Sequence, residues 1–342
     1  MTRAVIALFF LALTSCSSTR RSPTSWQLAD DSPVKPDAAL LADMIAALDA
    51  AAQAGTNPSI SKFHVRAATA FEHNGQRVVI AGGNTEYALP EAIHGETSAV
   101  NHAIVRVGAD AARAKVRFVA FYSQSCGTSL GCGDCRDFMC ASTQSDRLLW
   151  VCGSAADHKI RVRRFAEGLA AEERFPDATP AELGIPTADL QRLNNAVRDA
   201  WKHRISLFTS PEQHTAAAVL TAKGAIHRAA GADDAAFHYR FPVGGALQQA
   251  ATAGEYAVRA VMVAGKAGAW PHIAYRDRQY GYEFSSFGQA RGQLPIRLIL
   301  SNGQGRYKVT TFESALPYAF SVARFNPQAI ERFLRAQEPA LR

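Results

Sequence analysis

The stretch from His94 to Cys135 constrains this chain more than any other. His94-Gly95-Glu96 opens an apolar-periodic segment, and Cys132-Gly133-Asp134-Cys135 opens a later one. One imidazole and two thiolates make a soft N/S₂ donor set. Zinc accepts that set and can keep its fourth position open for water. On a helix, the offset between His94 and Glu96 lets the carboxylate reach that water rather than the metal. A lone C-x-x-C is weak, because a redox pair or chance produces it too. Paired with H-x-E, each motif at the expected start of an element, it is a strong signal. His94, Cys132 and Cys135 are therefore the candidate metal ligands, and Glu96 is the candidate proton carrier.

The elements around these motifs alternate between strand and helix. Leu40, Leu41, Met44, Ile45 and Leu48 share one helical face. Phe63 to Ala68 and Val78 to Ala81 read as paired strands joined by the turn Glu72-His73-Asn74-Gly75. The loop Gly82-Gly83-Asn84-Thr85-Glu86 follows. An Asn84 amide beside a Glu86 carboxylate suits a pair of vicinal hydroxyls. Ala99, Val100, Ala103, Ile104 and Val107 line the helix that starts near His94, with His102 beside that face as a surface or partly buried histidine. Val116 to Tyr122, Leu148 to Cys152 and Ile160 to Arg164 are further strands. Placing both cysteines near a helix N-terminus favours thiolate over thiol. The pattern argues for α/β architecture, a three-layer α/β/α domain.

Length allows two domains. Residues 1–16 read as a signal peptide: Arg3 precedes an apolar run from Ala4 to Leu13, too short to span a membrane. Its end, Leu13-Thr14-Ser15-Cys16, resembles the lipobox of bacterial lipoproteins. That implies lipidation of Cys16 and a cell-envelope location held by a lipid anchor, with the cytoplasm as the alternative if the start is misassigned. Residues 17–37 read as a linker, 38–176 as the metal-binding domain, 177–210 as a linker with a helix, and 211–342 as a second domain. Cys126, Cys140 and Cys152 remain after the signal and the metal are served, an odd remainder that predicts no disulfide framework. The formal charge is +7. No aromatic side chains interleave with Arg161-Val162-Arg163-Arg164, so no nucleic-acid partner is expected.

The second domain reads as a degenerate, non-catalytic copy of the first. Its segment 212–229 is matched to helix 38–54, and 249–267 to 90–108. That match sets Gly254-Glu255 against Gly95-Glu96 and Ala253 against His94, with residues 288–291 where the first copy has its cysteines. No cysteine follows Cys152, so the second copy cannot rebuild the metal site. RRFAEGLAAEERF at 163–175 echoes TTFESALPYAF at 310–320.

H-x-E followed by C-x-x-C is the signature of zinc deaminases, and over most of residues 40–176 the chain resembles the cytidine deaminase family. The residues that carry the resemblance are Phe63 in Ser61–Ala68, Asn84-Thr85-Glu86, His94-Gly95-Glu96, and Gly131-Cys132-Gly133-Asp134-Cys135-Arg136. The resemblance implies a tandem cytidine deaminase-like fold and Zn²⁺ as cofactor. It also implies hydrolytic deamination of free cytidine or deoxycytidine to the uracil nucleoside with release of ammonia. Phe63 is expected to pack by the substrate, with Asn84 and Glu86 at the ribose. The two-domain layout resembles a bacterial form whose chains pair as a homodimer, completing the active site. There are departures: Gly131 replaces the usual Pro, Arg66 stands where Gly is usual, and residues 125–131 lengthen the approach to the cysteines. Two alternatives remain open. One is a deaminase of another nucleoside or base analogue, such as a nucleoside antibiotic or a guanine-type ring. The other is a non-enzymatic lipoprotein module stabilised by zinc, against which the non-ligand Glu96 speaks.

Overall fold

The computed structural model describes residues 26–88, 91–124, 126–233 and 239–321, and beyond these only 328, 331–332 and 335. Residues 1–25, with the signal-like run and Cys16, lie outside the described residues. No described helix is long and apolar enough to cross a membrane.

The first lobe contains β1 (Gln27–Leu28), α1 (Ala38–Gln53), β2 (Arg66–His73), β3 (Gln76–Gly83), β4 (Thr85–Ala88) and β5 (Glu91–Ile93), then α2 (Gly95–Val107), α3 (Ala109–Lys115), β6 (Phe118–Ser123), α4 (Gly133–Ser142), β7 (Leu149–Ser154) and β8 (Lys159–Arg164). Its main sheet has the order β1-β8-β7-β6-β2-β3. The second lobe contains β9 (Asp177–Ala178), α5 (Thr187–Lys202), β10 (Ala216–Thr221), β11 (Ile226–Ala230), β12 (Ala232–Asp233) and β13 (Tyr239–Arg240), then α6 (Pro242–Thr252), β14 (Val258–Ala264), α7 (Tyr275–Gln289), β15 (Arg297–Ser301), β16 (Tyr307–Thr311) and α8 (Phe312–Ala315). Its sheet order is β9-β16-β15-β14-β10-β11. This repeats the order of the first lobe, down to the parallel pairs β6–β7 and β14–β15; α3 has no counterpart, and the edge strand β9 runs antiparallel to β16 where β1 runs parallel to β8. The chain is thus a tandem α/β/α fold.

Side-chain alternation along the strands builds the three layers. In the first sheet Ala68, Phe118, Ala120, Val151 and Val162 turn to α1, while Ala67, Val119 and Trp150 turn to the layer of α2 and α4. In the second, Ala216, Ala218, Leu220, Ala260 and Met262 face α5, and Ala217, Val219, Val261 and Val263 face α6. Both faces are covered, so the central strands carry continuous apolar runs.

Four expectations are corrected. Part of the 17–37 linker belongs to the first sheet: Gln27–Leu28 pair with β8, and Trp26 is buried against α1. The 177–210 linker belongs to the second lobe: β9 pairs with β16, and α5 buries Leu190, Leu193 and Val197 on that sheet. Residues 212–229 form no helix but the hairpin β10–β11, so α5 is the counterpart of α1. The register of the repeat also shifts. α6, the counterpart of α2, begins at Pro242 with Phe241 at its N-cap, and Ala253 is its C-cap. Phe241, not Ala253, stands in the place of His94. The likeness of 163–175 to 310–320 falls on corresponding turns, each with a fully buried aromatic, Phe165 and Phe312.

Candidate metal centre

Two helix N-termini converge on one face of the first sheet. His94 is the N-cap of α2 and Cys132 the N-cap of α4, with Cys135 one turn into α4. His94 Nδ1 lies 3.1 Å from Cys132 Sγ and 3.3 Å from Cys135 Sγ, and the two sulfurs are 3.6 Å apart. A tetrahedral zinc with Zn–S near 2.3 Å and Zn–N near 2.05 Å requires about 3.6 Å between N and S and about 3.8 Å between sulfurs. The donor set fits the ion in kind, with the nitrogen lying about 0.3–0.5 Å closer to the sulfurs than a tetrahedral ion would hold it.

Glu96 sits in the first turn of α2, only 9% exposed. Its Oε2 is 3.7 Å from Cys135 Sγ, while the cluster of mutually close donors comprises His94, Cys132 and Cys135; the carboxylate borders that cluster. Burial pushes the Glu96 carboxyl up. The Cys132 sulfur pushes His94 up to about 10 against the opposing effect of burial, and Cys132 itself is held well below the ordinary thiol value, chiefly by its hydrogen bond with Cys135. Negative charge on Cys132 is thus favoured beside two positive helix ends.

The glycines beside the ligands have physical reasons. Gly131 has φ +87°, which proline, fixed near −65°, cannot adopt. The departure from the usual Pro follows from that backbone. A Cβ on Gly133 would lie 2.3 Å from Tyr275 O, because the start of α4 abuts the start of α7.

That crossing ties the lobes together at the centre. Asp137 accepts from Tyr275 N and Arg276 N, both at 2.9 Å, and Arg276 pairs with Asp134 at 3.0 Å. Arg136, fully buried, donates to Gly131 O, Gly168 O and, across the lobes, Tyr318 O. Arg278 repeats this in the second lobe, donating to Ile273 O, Ala315 O, Ala170 O and Glu172. This pair of arginines fixes the true correspondence: Ala274 and Asp277, not residues 288–291, occupy the places of Cys132 and Cys135. Asp277 accepts from Val243 N (3.1 Å) and Gly244 N (2.9 Å) at the start of α6. A carboxylate cap joins α7 to α6 where a metal would join α4 to α2. The repeated Arg one place after the second ligand was the sequence signal that could have revealed this.

Asn84 Oδ1 accepts from Val65 N and its Nδ2 donates to Phe63 O. Glu86 Oε2 accepts from Ile60 N and Ser61 N. In the second lobe Asp233 does the same for Leu207 N, Phe208 N and Thr209 N, so this carboxylate is a loop anchor of the fold in both copies. Phe63 meets Phe320 of the second lobe's tail, ring centroids 5.6 Å apart. His102 is exposed, as expected. Of the three remaining cysteines, Cys126 and Cys152 form a disulfide, and Cys140 is free. A concavity of about 960 Å³ between α5 and β11 contains none of the four centre residues.

No family model matches the chain, and no curated protein does. Among solved structures it is similar to the cytidine deaminase of Burkholderia pseudomallei, 22% identical over 38% of this chain and 98% of that one, with TM-score 0.33. It is also similar to those of Mycobacterium leprae (22% identical, 40% and 100% covered, TM-score 0.29) and Mycobacterium tuberculosis (21% identical, 39% and 94% covered, TM-score 0.26). Likeness at this level carries no weight for the chemistry, which is read from His94, Glu96, Cys132 and Cys135 themselves.

Proposed function

We propose that the chain is a zinc-dependent hydrolase that deaminates a free pyrimidine nucleoside, cytidine or deoxycytidine, to the uracil nucleoside and ammonia. One observation carries this reading: the donor atoms of His94, Cys132 and Cys135 all lie within 4.8 Å of one another, with the buried Glu96 carboxylate beside that cluster. A purely structural zinc site does not need that carboxylate. When bound, zinc supplies Lewis acidity, bringing the pKa of water from 15.7 toward about 7. Glu96 takes the proton of the attacking water and returns protons to ring N3 and to the departing amine, acting first as base and then as acid. Water adds at C4 as the C–N bond to the amine breaks, so one water is consumed for each ammonia released. Burial of Glu96 raises its proton affinity, which suits a group that must both accept and give.

Phe63, Asn84 and Glu86 are the proposed nucleoside-side residues. Asn84 and Glu86 also hold the backbone of residues 60–65, so changing them alters the pocket wall as well as any contact with the sugar. A homodimer is the proposed assembly; Ile205, Leu207 and Phe208, each more than half exposed on one loop, offer apolar surface for it. A cell-envelope location through lipidated Cys16 is also proposed. A Cys126–Cys152 disulfide suits an oxidising compartment, which supports it.

The test is ammonia release and the ultraviolet change on adding cytidine, deoxycytidine, adenosine and guanine separately to zinc-loaded protein. Turnover of the cytosine nucleosides is expected. Turnover of a purine alone would retain the chemistry and replace the substrate, and no turnover of any would favour a zinc-stabilised binding module.

A further inference from the structure

We propose that the Cys126–Cys152 disulfide is a positioning device for the metal centre: it fixes the loop that presents Cys132, and reducing it weakens metal holding while leaving both ligand thiols untouched. The inference rests on the metal role proposed for His94, Cys132 and Cys135.

Residue 124 and residues 126–131 lie between β6 and Cys132, the N-cap of α4. The start of this loop is held where Gln124 O accepts from Ala156 N at 3.1 Å. Its end is held where Leu130 N donates to Tyr318 O at 3.1 Å and Arg136 Nε donates to Gly131 O at 3.2 Å. Between these ends the covalent tie runs from Cys126 to Cys152 on β7. The same strand also bears on the far end of the loop. A Cβ on Gly131 would lie 3.1 Å from the Trp150 ring and 3.3 Å from Cys135 Cβ. One rigid strand, buried in the sheet, thus sets both the entry and the exit of the ligand loop. Without the disulfide, the entry swings on the remaining hydrogen bonds, and Cys132 must be ordered at the moment the ion binds.

The second lobe supplies an internal comparison. Its corresponding loop, 265–273, is tied to the end of β15 by one backbone hydrogen bond, Gly268 N to Asn302 O at 2.8 Å. That loop leads to Ala274, which ligates nothing. The covalent version of the tie is found in the lobe where the loop delivers a ligand. Groups that orient a metal ligand without touching the ion typically change metal affinity by about 10- to 100-fold when removed.

Reduction is done with a water-soluble phosphine, which has no thiol to compete for the ion. Phosphorus takes the oxygen of one water and becomes the phosphine oxide. The S–S bond breaks, and the two protons of that water end on the Cys126 and Cys152 thiols. The measurements on the full chain are zinc dissociation constant, by competition with a chromophoric chelator, and amide hydrogen exchange of residues 124–135. The samples are oxidised wild type, phosphine-treated wild type, and Cys126→Ala/Cys152→Ala with and without phosphine. Zinc should bind roughly 10-fold or more weakly in reduced wild type and in the double variant, with faster exchange in this segment and no further effect of phosphine on the variant. Affinity within about twofold of oxidised wild type after reduction would overturn the proposal. If the double variant does not fold, the phosphine arm on wild type decides alone. Oxidised wild type that binds no zinc would instead overturn the metal reading beneath it.

Discussion

Replacing Glu172 with Gln should remove about 3 kcal/mol of stability at pH 7, and progressively less as the pH falls. Glu172 lies on the segment that leaves the first lobe and is only 8% exposed. Its Oε1 accepts from Ile273 N at 2.9 Å, pairs with His272 Nδ1 at 3.1 Å, and pairs with the fully buried Arg278 of α7. Burial pushes the carboxyl up, but His272 and Arg278 together outweigh it and hold the group at about 2 instead of 4.5. At about 1.36 kcal/mol per unit, that shift is worth about 3 kcal/mol. The amide keeps an acceptor for Ile273 N but leaves the Arg278 charge with carbonyls only, and breaking a buried pair costs about 3–5 kcal/mol. The two routes to a magnitude agree. A depressed carboxyl contributes stability above its unfolded value and loses it as the pH falls through the folded one. The wild-type advantage should therefore be nearly full at pH 7, about 1.5 kcal/mol at pH 3, and gone below the folded value near 2. His272, raised by its bond to Glu172, adds stability present below its unfolded value and lost as the pH rises through its higher folded one. Urea unfolding of both proteins at pH 7 and pH 3 measures the difference, in which effects common to both cancel. A difference below about 1 kcal/mol at pH 7, or one that does not shrink by pH 3, would refute the reasoning.

Three further outcomes are expected. Asp277 is raised to about 7 by burial, so it weakens the fold as the pH climbs from its unfolded value through 7; in urea titrations Asp277→Asn should gain on wild type between pH 5 and pH 8, and an unchanged difference would contradict this. Arg136→Met should cost about 2–5 kcal/mol in urea unfolding, since three buried carbonyls lose their donor while the burial that lowers Arg136 to about 10 is relieved; a neutral change would show that the bolt between lobes is dispensable. Gly131→Pro should lose bound zinc by metal analysis while the second lobe keeps its far-ultraviolet signal, because φ +87° is closed to proline; full zinc occupancy would disprove that Gly131 sets the ligand loop.

The clustering of His94, Cys132 and Cys135 was legible because these residues are chemically rare and sit at element starts. The first hairpin was legible through Asn74-Gly75, a turn pair between two apolar runs. The second lobe was harder to read. Ala216 to Leu220 is apolar without alternation because both faces of β10 are buried, so it looks as much like a helix as a strand. The Gly254-Glu255 dipeptide then drew the repeat out of register, whereas the buried pair Arg136 and Arg278 marks it correctly. α5 reads as a connector because nothing in its amphipathic pattern says which sheet it covers. The disulfide was hidden because pairing Cys126 with Cys152 requires knowing that β6 and β7 are parallel neighbours, and cysteine parity carries no such information. Glu86 shows the opposite limit: its motif points to a sugar, while its carboxylate anchors a loop, as Asp233 does in the lobe without metal ligands.

The central claim is that Glu96 moves protons beside an ion it does not ligate. The direct measurement is zinc content together with ammonia release from cytidine for wild type and Glu96→Gln. About one zinc per chain in both proteins is expected, held by His94, Cys132 and Cys135, with turnover in the variant lower by at least about 10²–10⁴-fold. Loss of zinc in Glu96→Gln would make Glu96 a ligand, and full turnover in the zinc-loaded variant would remove the mechanism.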